Sequence, residues 1–327
     1  MQNFYRFFDE LAGKALVDQI RSEEPDVPIV SHSQIGSWNH CQLQWHLSYI
    51  QGWTDREKKP YLILGQLGHE ALAVWYRCLQ AGLARDEARE LVQTKLNEQV
   101  NVWAFKSDDY LPALATMSWL VLKYIDEYTP FADKDIEEIH GVEEHFIIAL
   151  VSPKGRKYYL QGYVDLRAVV RGVMRIWDHK FAQQFWYPLE VQMDSQQPFY
   201  AAAWTFGSDT PVHGTDINQL KTYNYVNKDK VQADTVFRRD SEYHTKQKLN
   251  NVLIEVGRAV DDMLEFEALK KEPRRFMSRN CSRCWYQQPC YLGLQGHNMQ
   301  TLLEIDFIKK SELDKGERPN EEFDVHL

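Results

Sequence analysis

Cysteine is scarce in this sequence, with five in 327 residues. An odd number argues against a disulfide framework and leaves metal ligation or free thiols as the better explanations. No apolar run is long enough to cross a bilayer. The first thirty residues interleave Asp9, Glu10, Asp18, Glu23 and Glu24 with their apolar positions, unlike a cleavable secretory signal. The expected compartment is the reducing cytoplasm. Basic charge is also short, the formal net charge being -9. Coating nucleic acid non-specifically requires many Lys and Arg contacts to phosphates, so that mode is disfavoured; an enzyme acting on nucleic acid is not. The chain lacks a G-x-x-x-x-G-K-[ST] loop, so it is not expected to unwind DNA by its own ATP hydrolysis. There is no internal repeat and no Gly/Ser linker.

What the chain does have is apolar and aromatic mass. At 44% hydrophobic it can bury a sizeable core, and its length sets a ceiling of roughly two domains. Ten Trp and seventeen Tyr serve that core for the most part, though some offer faces on which unpaired bases stack. Local basic clusters such as Arg274, Arg275, Arg279 and Arg283 survive within the acidic total.

Residues 33 to 50, opened by Ser33, place Ile35, Trp38, Leu43, Trp45 and Tyr49 at helical spacing and carry Cys41. Further helices are expected from Gly68 to Leu79 and, in pieces, from Arg85 to Tyr128. After Asp135 the texture changes. Glu144 to Val151, Lys157 to Val170 and Val173 to Gln183 are rich in β-branched and aromatic residues and read as strands. Asp194 or Ser195 can cap a helix with Pro198 in its first turn. A strand over Leu220 to Val226 and a long helix from Ser241 to Leu269 follow, and the last fifteen residues are charged and expected to be mobile.

The chemistry concentrates on one hairpin. If Arg171-Gly172 form a two-residue turn, Asp165 falls directly opposite Asp178 on the same sheet face. Opposed like charges destabilise a sheet unless something compensates, and a divalent cation does so. Alternation puts Lys180 on the same face, so two carboxylates and an ammonium converge. Phosphodiester hydrolysis suits that set: Mg²⁺ on hard oxygen ligands polarises a phosphate, and Lys180 orients water or stabilises developing charge. His179 points its side chain to the other face and leaves its backbone carbonyl for the metal. The competing explanation is an ordinary surface salt bridge to Lys180.

The stretches Gly162-Tyr-Val-Asp165-Leu and Ile176-Trp-Asp178-His-Lys180 resemble the G-x-h-D and h-h-(D/E)-x-K motifs of the PD-(D/E)XK nucleases, with Asp in place of the commoner Glu at position 178. Upstream, Leu64-Gly65-Gln-Leu-Gly68-His69-Glu70 resembles the helical G-x-x-x-H motif of the RecB-like branch, which implies that His69 joins the metal site. Gln196 and Tyr200 resemble its Q-x-x-x-Y motif, which implies contacts to substrate or to the lysine. Glu144, on the preceding strand, is a weaker candidate for the site.

Cys281-x2-Cys284-x5-Cys290 places three thiols in one polar loop. The fourth ligand is expected to be Cys41, since Cys78 sits among Trp75, Tyr76 and Leu79 and reads as a buried apolar thiol. This pattern resembles the iron-sulfur subset of the same family, seen in the AddB nuclease domain and the CRISPR-associated adaptation exonucleases. The resemblance covers Ser31 to Cys290. It implies a [4Fe-4S] cluster with a structural role, while a tetrahedral zinc in the same sulfurs remains the alternative.

The expected fold is α/β: a PD-(D/E)XK, restriction-endonuclease-like core with a mixed sheet flanked by helices, its helical N- and C-terminal portions joined by the cluster. Residues 1–30 form an extension, 31–300 a single nuclease domain with a helical insert at about 85–139, and 301–327 a charged tail. The expected activity is Mg²⁺- or Mn²⁺-dependent hydrolysis of DNA by Asp165, Asp178, Lys180 and His69, as an exonuclease on single strands or ends. The resemblance implies a role in recombination, repair or foreign-DNA processing, with a helicase or recombination partner and no membrane. The alternative is a catalytically silent iron-sulfur or zinc DNA-binding subunit of a larger complex.

Overall fold

The computed structural model describes residues 4–7, 10–56, 60–106, 110–208, 210–223, 225 and 227–313. The charged C-terminal end, expected to be mobile, lies almost entirely outside them. The strands are β1 (Phe4–Phe7), β2 (Ile29–Ser31), β3 (Trp53–Asp55), β4 (Ile136–Val151), β5 (Lys157–Val170), β6 (Val173–Ala182), β7 (Gly214–Lys221), β8 (Phe237–Tyr243) and β9 (Phe307–Lys309). The chain separates into two compact units, residues 1–32 with 59–258, and residues 33–58 with 259–327. Among the described residues no helix is long and apolar enough to cross a membrane.

The first unit is a mixed sheet flanked by helices. Its strand order is β1-β4-β5-β6-β7-β8, with β2 added alongside β5. β4, β5 and β6 form an antiparallel meander; β6 and β7 run parallel, and β8 returns antiparallel. A parallel pair needs a crossover, and the helices Pro188–Met193 and Gln196–Gly207 supply it. Helix Pro60–Gln80 places Leu67, Ala71 and Trp75 in one core cluster with Val142, Leu166, Trp177 and Leu220 of the sheet. Helix Gln196–Gly207 sets Tyr200 and Trp204 edge-on to Phe146 of β4, at 5.6 and 6.4 Å.

The β5–β6 hairpin turns on Arg171 and Gly172, with φ of 52° and 72°, the pair of left-handed residues that a two-residue turn matching strand twist requires. It pairs Val170 with Val173 and continues to Leu166 with Trp177. Beyond that rung the strands part, β2 joining β5 at Tyr159–Gln161 and β7 accompanying β6 to its end. The opening between them is where Asp165 and Asp178 lie.

Two expected elements sit elsewhere. The strand placed at Leu220 to Val226 is β7, Gly214–Lys221, and the helix placed from Ser241 starts at Lys246 because Phe237–Tyr243 is β8. Both strands are polar, and β7 is buried all the same: Asp216 forms an ion pair with Arg175 at 2.5 Å, and Asn218 is fully buried.

In the second unit, the expected helix over 33–50 is interrupted at Cys41, whose extended backbone (φ -160°, ψ 116°) ends His32–His40 and begins Gln42–Trp45. A wider π turn follows at His46–Ile50. β3 pairs antiparallel with β9, and Leu43, Leu47, Trp53, Tyr286, Leu303 and Phe307 form the core against which Cys41, Cys284 and Cys290 pack.

Candidate active site

Three strands and one helix converge where β5 and β6 separate. Asp165, on β5, stands 3.3 Å from His69 Nδ1 of helix Pro60–Gln80, and Glu143 of β4 stands 3.9 Å from the same nitrogen. One ligand atom from each of His69, Glu143 and Asp165 lies within 4.8 Å of the others. An imidazole and two carboxylates so close form a donor set that suits a hard divalent cation. Such proximity couples their charges. Burial alone would lower the His69 pKa, but Asp165, then Glu143 and Asp178, raise it to about 9. Burial, with Asp165, pushes the Glu143 carboxyl up to about 8 against the pull of His69. Burial opposes ionisation of Asp165 too, yet His69 and the backbone of His179 hold it well below the usual carboxylate range. A proton on His69 thus stands in for a cation between the two acids.

Glu143 is the site residue that sequence reasoning missed, and its neighbour Glu144 is displaced from the role. Glu143 has φ 51°, a left-handed conformation uncommon away from glycine, and it falls between the rungs Val142↔Leu166 and Glu144↔Val164. That puts it across from Asp165. The Glu144 carboxylate instead occupies the space where a Cβ on Gly141 would fall. There it receives two hydrogen bonds from Arg167, at 2.9 and 3.1 Å, with neither residue more than 2% exposed. A carboxylate committed to a buried guanidinium is structural.

Asp178 and Lys180 of β6 form the other half. Lys180 Nζ lies 2.7 Å from one Asp178 oxygen and donates to the other at 3.0 Å, and it also donates to Gln196 Oε1 at 2.8 Å. Gln196 Nε2 in turn donates to the Tyr200 hydroxyl at 3.3 Å. Gln196 and Tyr200 therefore fix the lysine. Burial raises the Asp178 pKa to about 6, Lys180 opposing and Asp165 adding. Burial would lower Lys180, but Asp178 outweighs it and the ammonium is stabilised.

The His179 backbone N–H donates to Asp165 Oδ2 at 2.6 Å. Its ring lies away from that contact, stacked on Tyr76 at 5.7 Å and bonded through Nδ1 to Asn218 at 3.0 Å. Burial depresses its pKa to about 3 and keeps it neutral. A buried network extends behind it. Asn218 and Arg239 donate to the Tyr124 hydroxyl, each at 3.0 Å, and Arg239 pairs with Asp133 at 2.8 Å.

Gly162 and Gly68 serve close packing. A Cβ at Gly162 would meet Tyr200 Cε1 at 2.8 Å, and one at Gly68 would meet the Phe181 ring at 2.3 Å. At Gly65 nothing lies within 4 Å. In the stretch that precedes His69, the steric need is at Gly68.

The second unit holds the four candidate cluster cysteines as free, partly exposed thiols, while Cys78 of the first unit is buried. Cys41 Sγ lies 3.8 Å from the Arg274 carbonyl, and Cys281 Sγ accepts from the Ser278 N–H at 3.4 Å. Burial raises the Cys284 pKa, and the sulfurs of Cys41, Cys281 and Cys290 add to the rise.

The chain matches the PD-(D/E)XK nuclease superfamily over residues 29–291. No curated protein matches it. Among solved structures, a candidate exonuclease from Eubacterium rectale aligns with 14% identity and a TM-score of 0.46, covering 81% of this chain and 91% of that one. The protein SSO0001 aligns with 10% identity and a TM-score of 0.34, covering 85% and 95%. By the extent of the family match, this chain belongs to the PD-(D/E)XK nuclease superfamily.

Proposed function

We propose that the chain is a divalent-metal-dependent deoxyribonuclease, an exonuclease on single-stranded DNA or DNA ends. The observation that carries this reading is the junction of His69, Glu143 and Asp165 with the Asp178–Lys180 pair at the parting of β5 and β6. His69, Asp165 and Glu143 hold the ion, Mg²⁺ or Mn²⁺, with Asp178 and the His179 carbonyl completing the site. When bound, the ion supplies a Lewis acid for the scissile phosphate.

The other residues act around it. Lys180 keeps its proton beside Asp178, so its role is electrostatic: Nζ stabilises charge developing on the phosphate and orients the attacking water. Gln196 and Tyr200 position that ammonium. The His179 N–H holds Asp165, and the neutral His179 ring, anchored on Tyr76 and Asn218, fixes the backbone that donates it.

Cys41, Cys281, Cys284 and Cys290 hold a [4Fe-4S] cluster of structural role, zinc being the less favoured occupant. The packing of Cys41, Cys284 and Cys290 against one core supports the reading. The nuclease domain runs over residues 31–300, with the region at 85–139 as an insert, and the protein works in the cytoplasm, in recombination, repair or foreign-DNA processing with a helicase or similar partner.

The test is cleavage of end-labelled single-stranded, duplex and circular DNA by anaerobically purified protein with Mg²⁺, Mn²⁺ or chelator. Metal-dependent loss of linear single strands with circles spared supports the exonuclease. Cutting of circles overturns the end requirement. No cleavage of any substrate by protein with its cluster intact overturns the enzyme reading in favour of a silent subunit.

A further inference from the structure

The segment that joins Lys180 to Gln196 is not used by the chemistry above. Its two ends meet, Lys180 Nζ donating to Gln196 Oε1 at 2.8 Å, so residues 181–195 leave the site and return to it. At the middle stands Trp186, its ring centroid 5.8 Å from Lys180 Nζ. The backbone at this residue is held from both sides. Its N–H donates to Gln219 at 2.7 Å and its carbonyl accepts from Arg238, while Gln219 and Arg238 both donate to Asp240. A loop outside regular structure that is pinned through its backbone presents side chains without further ordering cost.

Those side chains are apolar and aromatic. Tyr187, Leu189 and Met193 are 71%, 67% and 74% exposed. Leu189 and Met193 lie one turn apart on helix Pro188–Met193, whose Val191 is buried. Phe185, beside Trp186, is faced by Lys221 at 5.5 Å and Arg238 at 5.0 Å. Arg238 is committed to Asp240, whereas Lys221 makes no ion pair among the described residues. Single exposed apolar residues are ordinary on a protein surface. An uncommitted cation among aromatic faces, continuous with a phosphate-cutting lysine, is the pattern that takes unpaired nucleobases by stacking and their backbone by charge.

We propose that residues 185–193 form the platform for the unpaired DNA strand being cut, with Trp186 stacking on the base next to the scissile phosphate. This rests on the nuclease reading and adds the element that selects single strands. A base inside a duplex is stacked on both faces and has none free for Trp186, so an internal stretch of duplex must open before it is engaged.

The test uses the full-length protein, Trp186→Ala, Trp186→Phe and a triple variant Tyr187→Ser, Leu189→Ser, Met193→Ser. The substrate is an oligothymidylate with 2-aminopurine at its terminal position, bound under chelator and then cleaved with Mn²⁺. In Trp186→Ala, Kd and KM for the single strand should rise on the order of tenfold, the range of one lost stack, with kcat within about threefold. Quenching of 2-aminopurine should vanish, and Trp186→Phe should restore most of both. The triple variant should weaken binding of longer strands more than of short ones. Unchanged Kd and quenching in both Trp186→Ala and the triple variant, with wild type active, overturns the platform and leaves the nuclease standing. A wild type that neither binds nor cuts DNA overturns both.

Discussion

Asp165 accepts a 2.6 Å hydrogen bond from the backbone N–H of His179, across a gap where β5 and β6 no longer pair. The bond aims the carboxylate toward His69 and Glu143, and it ties the two halves of the site together. Pairing ends at Leu166 and Trp177, so the peptide groups just beyond are free to serve ligands in place of a ladder.

Neighbouring glutamates should respond differently to the same substitution. Glu143→Gln is expected to weaken Mn²⁺ binding on the order of tenfold or more with little loss of stability. Glu144→Gln leaves Arg167 buried without its anion, which costs about 3–5 kcal/mol. Mn²⁺ titration followed by electron paramagnetic resonance, alongside urea unfolding, separates the two.

Lysine positioning predicts a kcat effect. In Gln196→Ala, Lys180 loses its tether to the crossover helix, and in Tyr200→Phe the tethering Gln196 loses the hydroxyl that orients it. Misplacing a reacting group by about 1 Å lowers rate on the order of a hundredfold. Steady-state kinetics should show kcat falling by tens of fold in Gln196→Ala and less in Tyr200→Phe, with KM nearly constant.

The two glycines ahead of His69 should part company. Gly68→Ala drives a methyl into Phe181 and should destabilise by about 1–3 kcal/mol through overpacking. Gly65→Ala has open space and should stabilise the helix by up to about 1 kcal/mol. Thermal unfolding of the two variants checks both signs.

Metal affinity should rise with pH. Metal-free protein holds protons at the site, on His69 up to about pH 9, on Glu143 to about 8 and on Asp178 to about 6, and the ion must displace them. All three folded pKa values lie above their ordinary ones. Their contribution to metal-free stability is therefore largest at low pH and declines as pH climbs through these values. Calorimetric titration in two buffers of different ionisation enthalpy should report proton release on binding, falling toward zero above about pH 9.

The hairpin was legible because a two-residue turn at Arg171-Gly172 fixes register from sequence alone. The same was not possible for β4. Its connection to β5 is longer, residues 152–156 lying between Val151 and Lys157, and its pairing is shifted twice before Glu143 turns left-handed. Glu144 was the weaker candidate named on this strand, whereas Glu143 faces the site. β7 and β8 were misplaced for another reason. On β7 the buried Asp216, Asn218 and Gln219 look like loop residues until Arg175, Arg239 and Asp240 are seen to satisfy them, and β8 is charged and only partly buried. The break at Cys41 was likewise invisible, because the helical spacing of apolar residues continues through it. Trp186 carries no pattern at all; only its pinned backbone and its place beside Lys180 single it out.

The most direct test of the account is cleavage of 5′-labelled single-stranded DNA by wild-type and Asp165→Asn protein across a Mn²⁺ titration, with a matched unfolding curve. The account predicts cleavage that requires the ion in wild type and a loss of at least about a hundredfold in Asp165→Asn, the variant staying folded. Ion-independent cleavage, or equal rates in the two proteins, would contradict it.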